Sequence, residues 1–445
     1  MRIRLGSILF IAGAALTAFG QQAAFDAPSG GQEQTLQGLE QTLKEAGVQK
    51  FKSLHAVKPA KDSEVEAAKQ QAVNPSATTA TLPLWTFFVE SPRDDGAYTG
   101  IMVGRDPFNG GGSASVTTYV VPLILVTNTV IKTLNSNMSF TTQPGVTAFD
   151  PSIPDNSCLG TTNNIPLTLF QKSPLLQQAA FDFGGTVVGK TQYVDAFQRA
   201  NFWKILGDQV SDYHITLGPV HTLAPIVINV PAAKGTSLPI TNPIYCSPLG
   251  IIDIDWFDSY LDAVVLPALG ASGVNPSNLP IFLVHNVVWM NPLLNTLEGC
   301  CILGYHSTSS LPIQTYTVGD FESTAHFDVS AHDTVTLSHE LAEWVNDPFG
   351  SNATPPWETA GQPSAGCQSN LEVGDRLTGT EAPRIVMPNG FTYHLQELAF
   401  FSWFFGAPSV AVHGWFSNNG TFLTDAGPPC QSSSAVSSQS KWIVR

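Results

Sequence analysis

His332-Asp333-Thr334-Val335-Thr336-Leu337-Ser338-His339-Glu340-Leu341-Ala342-Glu343-Trp344-Val345-Asn346-Asp347, closed by Pro348, is the most strongly patterned stretch of the 445-residue chain. On a helical wheel turning about 100° per residue, Leu341, Trp344 and Val345 fall within about 80° of Leu337 and make one apolar stripe. His339 and Glu343 lie at about 200° and 240°, on the opposite face, with Glu340 to the side. They are spaced i,i+4, so both side chains reach one point. Asp333 is a natural N-cap and Pro348 forbids continuation, which predicts a helix over 333–346. On a free helix the His339–Glu343 face is the solvated one, where such a pair is often only a surface ion pair. Charged residues make up only 12% of the chain, yet this turn gathers His339, Glu340, Glu343 and Asp347. That concentration favours a metal site. A further ligand comes from Cys367-Gln368-Ser369-Asn370-Leu371-Glu372-Val373-Gly374-Asp375, through Glu372 or Asp375.

Around this helix the chain reads as strands. Apolar, β-branched runs bounded by Gly, Pro, Asn or Asp recur at 85–89, 116–130, 215–230, 281–288, 302–305 and 314–318. Further helices are predicted at 193–206, at 256–269 with Asp255 as N-cap, and at 396–405. The fold class expected is α+β, a strand-rich body with the metal-binding helix in its C-terminal third.

The ends and the composition bound the function. Arg2 and Arg4 precede an apolar run over 5–18, and Ala18-Phe19-Gly20 supplies small residues for cleavage. This predicts a signal peptide over 1–20, a run too short for a membrane anchor, and hence a secreted or periplasmic protein with no membrane contact after processing. Residues 21–80 carry Leu36, Leu39 and Leu43 at helical spacing and end in a polar linker, which reads as a helical leader or prosegment. The body is then a single unit over 81–445. With 20 Lys+Arg against 35 Asp+Glu, the chain lacks the basic surface that nucleic acid requires. Six cysteines in an oxidising compartment predict disulfides, with adjacent Cys300 and Cys301 each reaching a distant partner. No C-x-x-C pair exists, so a cysteine zinc site is not expected, and no feature sets an oligomeric state.

The string from Ser338 to Pro348, followed by Asn370-Leu371-Glu372-Val373-Gly374-Asp375, resembles secreted zincin-like metallopeptidases with an H-E-L-x-E motif. It resembles more weakly the plant EXORDIUM (phosphate-induced) extracellular proteins, with their S-H-E-L-A-E stretch and later acidic segment. Together these cover Ser338 to Asp375. The first resemblance implies Zn²⁺ held by His339, Glu343 and Glu372, with Asp375 steering a ligand and Glu340 as general base. It implies Tyr393 or His394 as a stabiliser of the oxyanion, against the simpler reading of a core Tyr and a hydrogen-bonded His beside the aromatic run 400–405, and a protein or peptide as substrate. The second Glu departs from H-E-x-x-H. Two carboxylates and one His cancel the charge of Zn²⁺ and blunt its power to acidify water, so the pattern favours metal binding over peptide cleavage. A carboxylate-rich site also suits Mn²⁺ or Ca²⁺. The EXORDIUM resemblance implies instead a non-catalytic extracellular or cell-wall interaction protein with a structural metal.

Other constellations give less. Asp253 and Asp255 would share a strand face as a carboxylate pair for glycoside hydrolysis, but helix capping is the simpler reading. There is no G-x-S-x-G elbow, and oxidised cysteines offer no thiol nucleophile. His306, His326 and His332 read as hydrogen-bonded structural residues.

Overall fold

The computed structural model describes residues 54–57, 82–134, 140–160, 164–238, 245–290, 300–310, 313–358, 367–380, 384–424 and 430. The expected signal peptide, the helical stretch around Leu36, Leu39 and Leu43 and the polar linker lie outside these residues.

The architecture is α+β and strand-rich. Its spine is one mixed eleven-stranded sheet. The order runs Gly235–Leu238, Leu249–Asp253, Val287–Met290, Cys300–Ser310, Ile313–Phe321, Leu279–His285, Ser113–Leu134, Phe140–Phe149. His214–Thr222 and Ile226–Asn229 pair parallel with the long strand Ser113–Leu134, and Leu54–Val57 pairs parallel with Cys300–Ser310.

Leu279–His285 shows why the sheet is central. All seven residues are buried, as expected of a strand covered on both faces. Leu279, Ile281 and Leu283 face a core that also holds Leu337, Leu341, Trp344 and Val345. Phe282 and Val284 face the opposite core, with Phe257, Leu261, Tyr305 and Tyr316. The period-two alternation of one strand thus separates two apolar layers.

The helix carrying the H-E-x-x-E sequence spans Val335–Asn346. Its stripe of Leu337, Leu341, Trp344 and Val345 packs as the sequence predicts. Two features differ from expectation. Asp333 is not the N-cap: Thr334 occupies that position, while Asp333 adopts a left-handed φ of 41°. The Asp333 carboxylate instead accepts hydrogen bonds from the backbone N–H groups of Thr334 at 2.5 Å and His394 at 2.9 Å. The polar face is not solvated either, since every residue of the helix is buried.

A glycine pair lets the helix lie down on the sheet. Gly304 and Gly319 are opposite each other across the Cys300–Ser310 and Ile313–Phe321 strands. A Cβ on Gly319 would stand 2.4 Å from Leu337 Cδ2, and one on Gly304 2.5 Å from Thr336 Cγ2 and 2.9 Å from Glu340 Cγ. The helix axis therefore approaches more closely than side chains at these positions would permit.

Other predicted elements are subdivided. The run at 281–288 becomes two strands broken at Asn286, whose φ of 57° is one that Asn tolerates and β-branched residues do not. The helix at 256–269 starts earlier, as Ile254–Tyr260, and continues through a wider π-turn, Leu261–Val265, to Leu266–Leu269; its N-cap is Asp253, which accepts from Trp256 N–H at 3.1 Å, and Asp255 lies in the first turn. Asp253 also pairs with Lys234 at 2.8 Å and the Tyr316 hydroxyl donates to Asp258 at 2.5 Å, so these acids are structural. Only Phe401–Phe405 of the predicted 396–405 is helical. The preceding N–H groups are drawn sideways: Gln396 to Ser338 Oγ, Leu398 to Asn418 Oδ1, Ala399 to the Val373 carbonyl.

Disulfides join Cys158 to Cys246 and Cys367 to Cys430, as an oxidising compartment allows. The second anchors the segment Cys367–Asn370 that leads to Glu372 and Asp375. Cys301 is disulfide-bonded, and the four distant cysteines pair with one another, so the expectation that it reaches a distant partner does not hold. No helix among the described residues is long and apolar enough to cross a membrane.

Candidate metal centre

The buried polar face of the motif helix meets two other pieces of chain. The Cys300–Ser310 strand contributes His306, and the turn after Cys367–Asn370 contributes Glu372, Gly374 and Asp375. Four carboxylates and two imidazoles come together where His306, His339, Glu340, Glu343 and Glu372 are each 0% exposed.

The two imidazoles are fixed in orientation by their outer nitrogens. Gln396 Nε2 donates to the Gly374 carbonyl at 2.6 Å, which leaves Gln396 Oε1 to accept from His339 Nδ1 at 2.9 Å. Nε2 of His339 then presents its lone pair to Glu343 Oε1 at 2.9 Å and Asp375 Oδ1 at 3.7 Å. His306 Nε2 meets the Asp347 carbonyl, an acceptor only, at 3.0 Å, so that nitrogen carries the proton. His306 Nδ1 is thus the bare nitrogen, 3.6 Å from Glu340 Oε2 and 3.7 Å from Glu343 Oε2, with no hydrogen-bond partner among the described residues.

The backbone also shapes the site. Glu343 Oε1 accepts from the N–H groups of Gly374 at 3.0 Å and Asp375 at 3.2 Å. A Cβ at Gly374 would fall 2.4 Å from His339 Nδ1, so only glycine lets this turn close over the imidazole. Outer amides hold the remaining oxygens: Gln368 Nε2 donates to Asp375 Oδ2 at 2.9 Å and Asn370 Nδ2 to Glu372 Oε1 at 2.8 Å.

Burial keeps the imidazoles neutral, pushing His306 down to about 3 and His339 to about 4. It raises the carboxyls of Glu340, Glu343 and Glu372 well above the usual range, with mutual repulsion adding to the effect. Bare imidazole nitrogens and carboxylate oxygens thus face one another in a water-poor space. A proton on Glu343 would settle one contact but leave His306 Nδ1 and Asp375 facing further oxygens. A divalent cation settles several at once. Donor atoms of a four-coordinate zinc lie about 3.3 Å apart, and the 2.9 and 3.7 Å separations around His339 bracket that value. The residues therefore fit a metal.

The sequence-derived residues are placed as follows. His339, Glu343 and Asp375 form one compact group and His306, Glu340 and Glu343 another, each with ligand atoms within 4.8 Å. Asp375 is the acid opposite His339, while Glu372 adjoins Glu343. Tyr393 and His394 are engaged elsewhere. The buried Tyr393 hydroxyl donates to the Leu169 carbonyl at 2.8 Å and accepts from Asn389, and burial raises it to about 12. His394 Nδ1 pairs with Asp333 at 2.5 Å. Sequence reasoning did not assign His306 or Gln396 to the site. Neither has a spacing signal, since one lies on a strand far upstream and the other is a neutral amide.

A further buried acid follows the Ile313–Phe321 strand and is bridged through its backbone to Asp333. Glu322 is pushed up to about 7 by burial, with Asp333 and Asp155 adding repulsion. A carboxyl raised on folding contributes stability that is full below its unfolded pKa and is lost as pH rises through the folded value. Glu322→Gln keeps the carbonyl acceptor for Thr324 N–H, which is at 2.8 Å. It is expected to gain up to about 3 kcal/mol at pH 8 and almost nothing at pH 4. Denaturant melts at the two pH values measure this, and an equal change at both would contradict it.

The chain matches no protein-family model, no curated protein and no solved structure.

Proposed function

We propose that this chain is an extracellular metalloprotein whose buried group of His339, Glu343 and Asp375 holds a divalent cation, Zn²⁺ foremost, with Mn²⁺ or Ca²⁺ as alternatives for so carboxylate-rich a site. The observation that carries the reading is the convergence of an oriented imidazole nitrogen on two carboxylate oxygens at 2.9 and 3.7 Å. Complete burial of the donors suits a closed, structural centre, since a catalytic one keeps a position open to water and substrate. The cation would cross-link the helix to the turn at Gly374, which the Cys367–Cys430 disulfide already tethers. The test is elemental analysis of the purified protein beside His339→Ala. Near-stoichiometric metal in the parent and its loss in the variant are expected. No metal in either, after zinc is supplied, would reject the reading.

One observation favours a second reading, the zincin-like peptidase. Val57, from the stretch read as a leader or prosegment, is paired with His306 on the Cys300–Ser310 strand. Removing residues 21–80 would strip this added strand from the site. When bound, the metal would polarise a carbonyl and activate water. On this chain's side, Glu340 would take the proton and the helix would hold His339 and Glu343 in place. Peptidase activity appearing after cleavage near residue 80, and absent in Glu340→Gln, would support this reading. No activity after cleavage would leave the structural one.

A further inference from the structure

Glu343 is the only residue shared by the two groups of converging donors. Its two oxygens do not point at the same partner. Oε1 lies 2.9 Å from His339 Nε2, whereas Oε2 lies 3.7 Å from His306 Nδ1. The second direction carries its own unsatisfied donor: His306 is 0% exposed, its Nε2 is spent on the Asp347 carbonyl, and its Nδ1 points at Glu340 and Glu343. An imidazole buried and aimed in this way points to a ligand that the His339 side of the site does not reach.

Charge leads to the same place. Glu340, Glu343, Glu372 and Asp375 bring four carboxyls into one buried volume. Arg199 is the one buried cationic side chain among the described residues, and it is turned to the Val210 carbonyl instead. One divalent cation would balance two of the four carboxylates. Two would balance all of them, and buried charge that is left unbalanced is costly.

We propose that the cluster is a two-ion centre bridged by Glu343. Oε1, with His339 and Asp375, holds one divalent cation; Oε2, with His306 and Glu340, holds a second. The inference rests on the metal-centre reading above. It changes the role of Glu340, which becomes a ligand and is no longer a free base. Paired cations joined by a carboxylate are an established arrangement in helical and hydrolytic metal sites.

The test is the stoichiometry of the full chain, freed of metal by a chelator and titrated with Co²⁺ alone, read by visible absorption. Zinc content after reloading and desalting gives an independent count. Two equivalents per chain are expected for the parent and one for His306→Ala, with an unchanged far-ultraviolet dichroism spectrum confirming that the variant folds. If the variant does not fold, the parent's stoichiometry still decides. One equivalent in the parent that His306→Ala retains would overturn the two-ion proposal and leave the single centre standing; one equivalent that His306→Ala loses would overturn the proposal and move the single ion to the His306 side. No uptake at all would overturn both.

Discussion

Chelation of the full-length protein at neutral pH is expected to lower its melting temperature by about 10 °C, and zinc alone should restore it. An ion bound only by the folded state at a thousand times its dissociation constant contributes about 4 kcal/mol, and each kcal/mol moves the melting point of a domain this large by about 2–3 °C. The structural cause is the state left behind. Without a cation, Glu340, Glu343 and Glu372 are buried side by side and repel one another. The turn carrying Gly374 and Asp375 is then joined to the motif helix by its N–H contacts to Glu343 at 3.0 and 3.2 Å, without the cross-link of a shared ion. Chelation should therefore loosen 367–375 before the sheet, as earlier amide exchange in that segment. His339→Ala should reproduce much of the lowered melting point and shrink its response to chelator. A melting point indifferent to both would mean that the cluster is held by protons alone.

Gly304→Ala is expected to cost about 3 kcal/mol, at the upper end for inserting one methyl into a packed interior. The new Cβ would meet Thr336 Cγ2 at 2.5 Å, the Val318 carbonyl oxygen at 2.8 Å and Glu340 Cγ at 2.9 Å. The first and third can turn aside, but the second is backbone of the neighbouring strand. Relief requires the two strands to shift at Val318, and Thr336 and Glu340 to give way on the helix, which disturbs the seat that holds His339, Glu340 and Glu343. The variant should therefore melt several degrees lower and bind metal more weakly, which calorimetry and metal titration measure on one sample. A cost under about 1 kcal/mol would mean that the helix does not seat on this glycine.

The motif helix was legible in the sequence because its apolar face has a period, and that face packs as the period predicts. Its polar face was misjudged as solvated. Hydrophobic periodicity reports which side meets apolar neighbours, and this side is covered by Gly374, by carboxylates and by an imidazole, none of which leaves an apolar signature. Asp333 looked like a cap because its type and position are right, but its carboxylate is shared with His394 from a distant loop. Within the site, His339 and Glu343 were legible from the i,i+4 rule, and the acidic segment after Cys367 as the source of a further ligand. His306 and Gln396 were not, because strand pairing and lateral hydrogen bonds bring them in from 33 residues before and 57 residues after His339. The strand breaks at Asn286 and the short final helix share that origin, a local pattern overruled by hydrogen bonds to remote residues.

The most direct test of the central claim is anomalous diffraction at the zinc edge from crystals of the full chain grown with zinc. The account predicts an anomalous peak between His339 Nε2, Glu343 Oε1 and Asp375 Oδ1, with a second beside His306 Nδ1 if Glu343 bridges two ions. A clean map with no peak at the cluster, and with the same side-chain arrangement held together by protons, would contradict it.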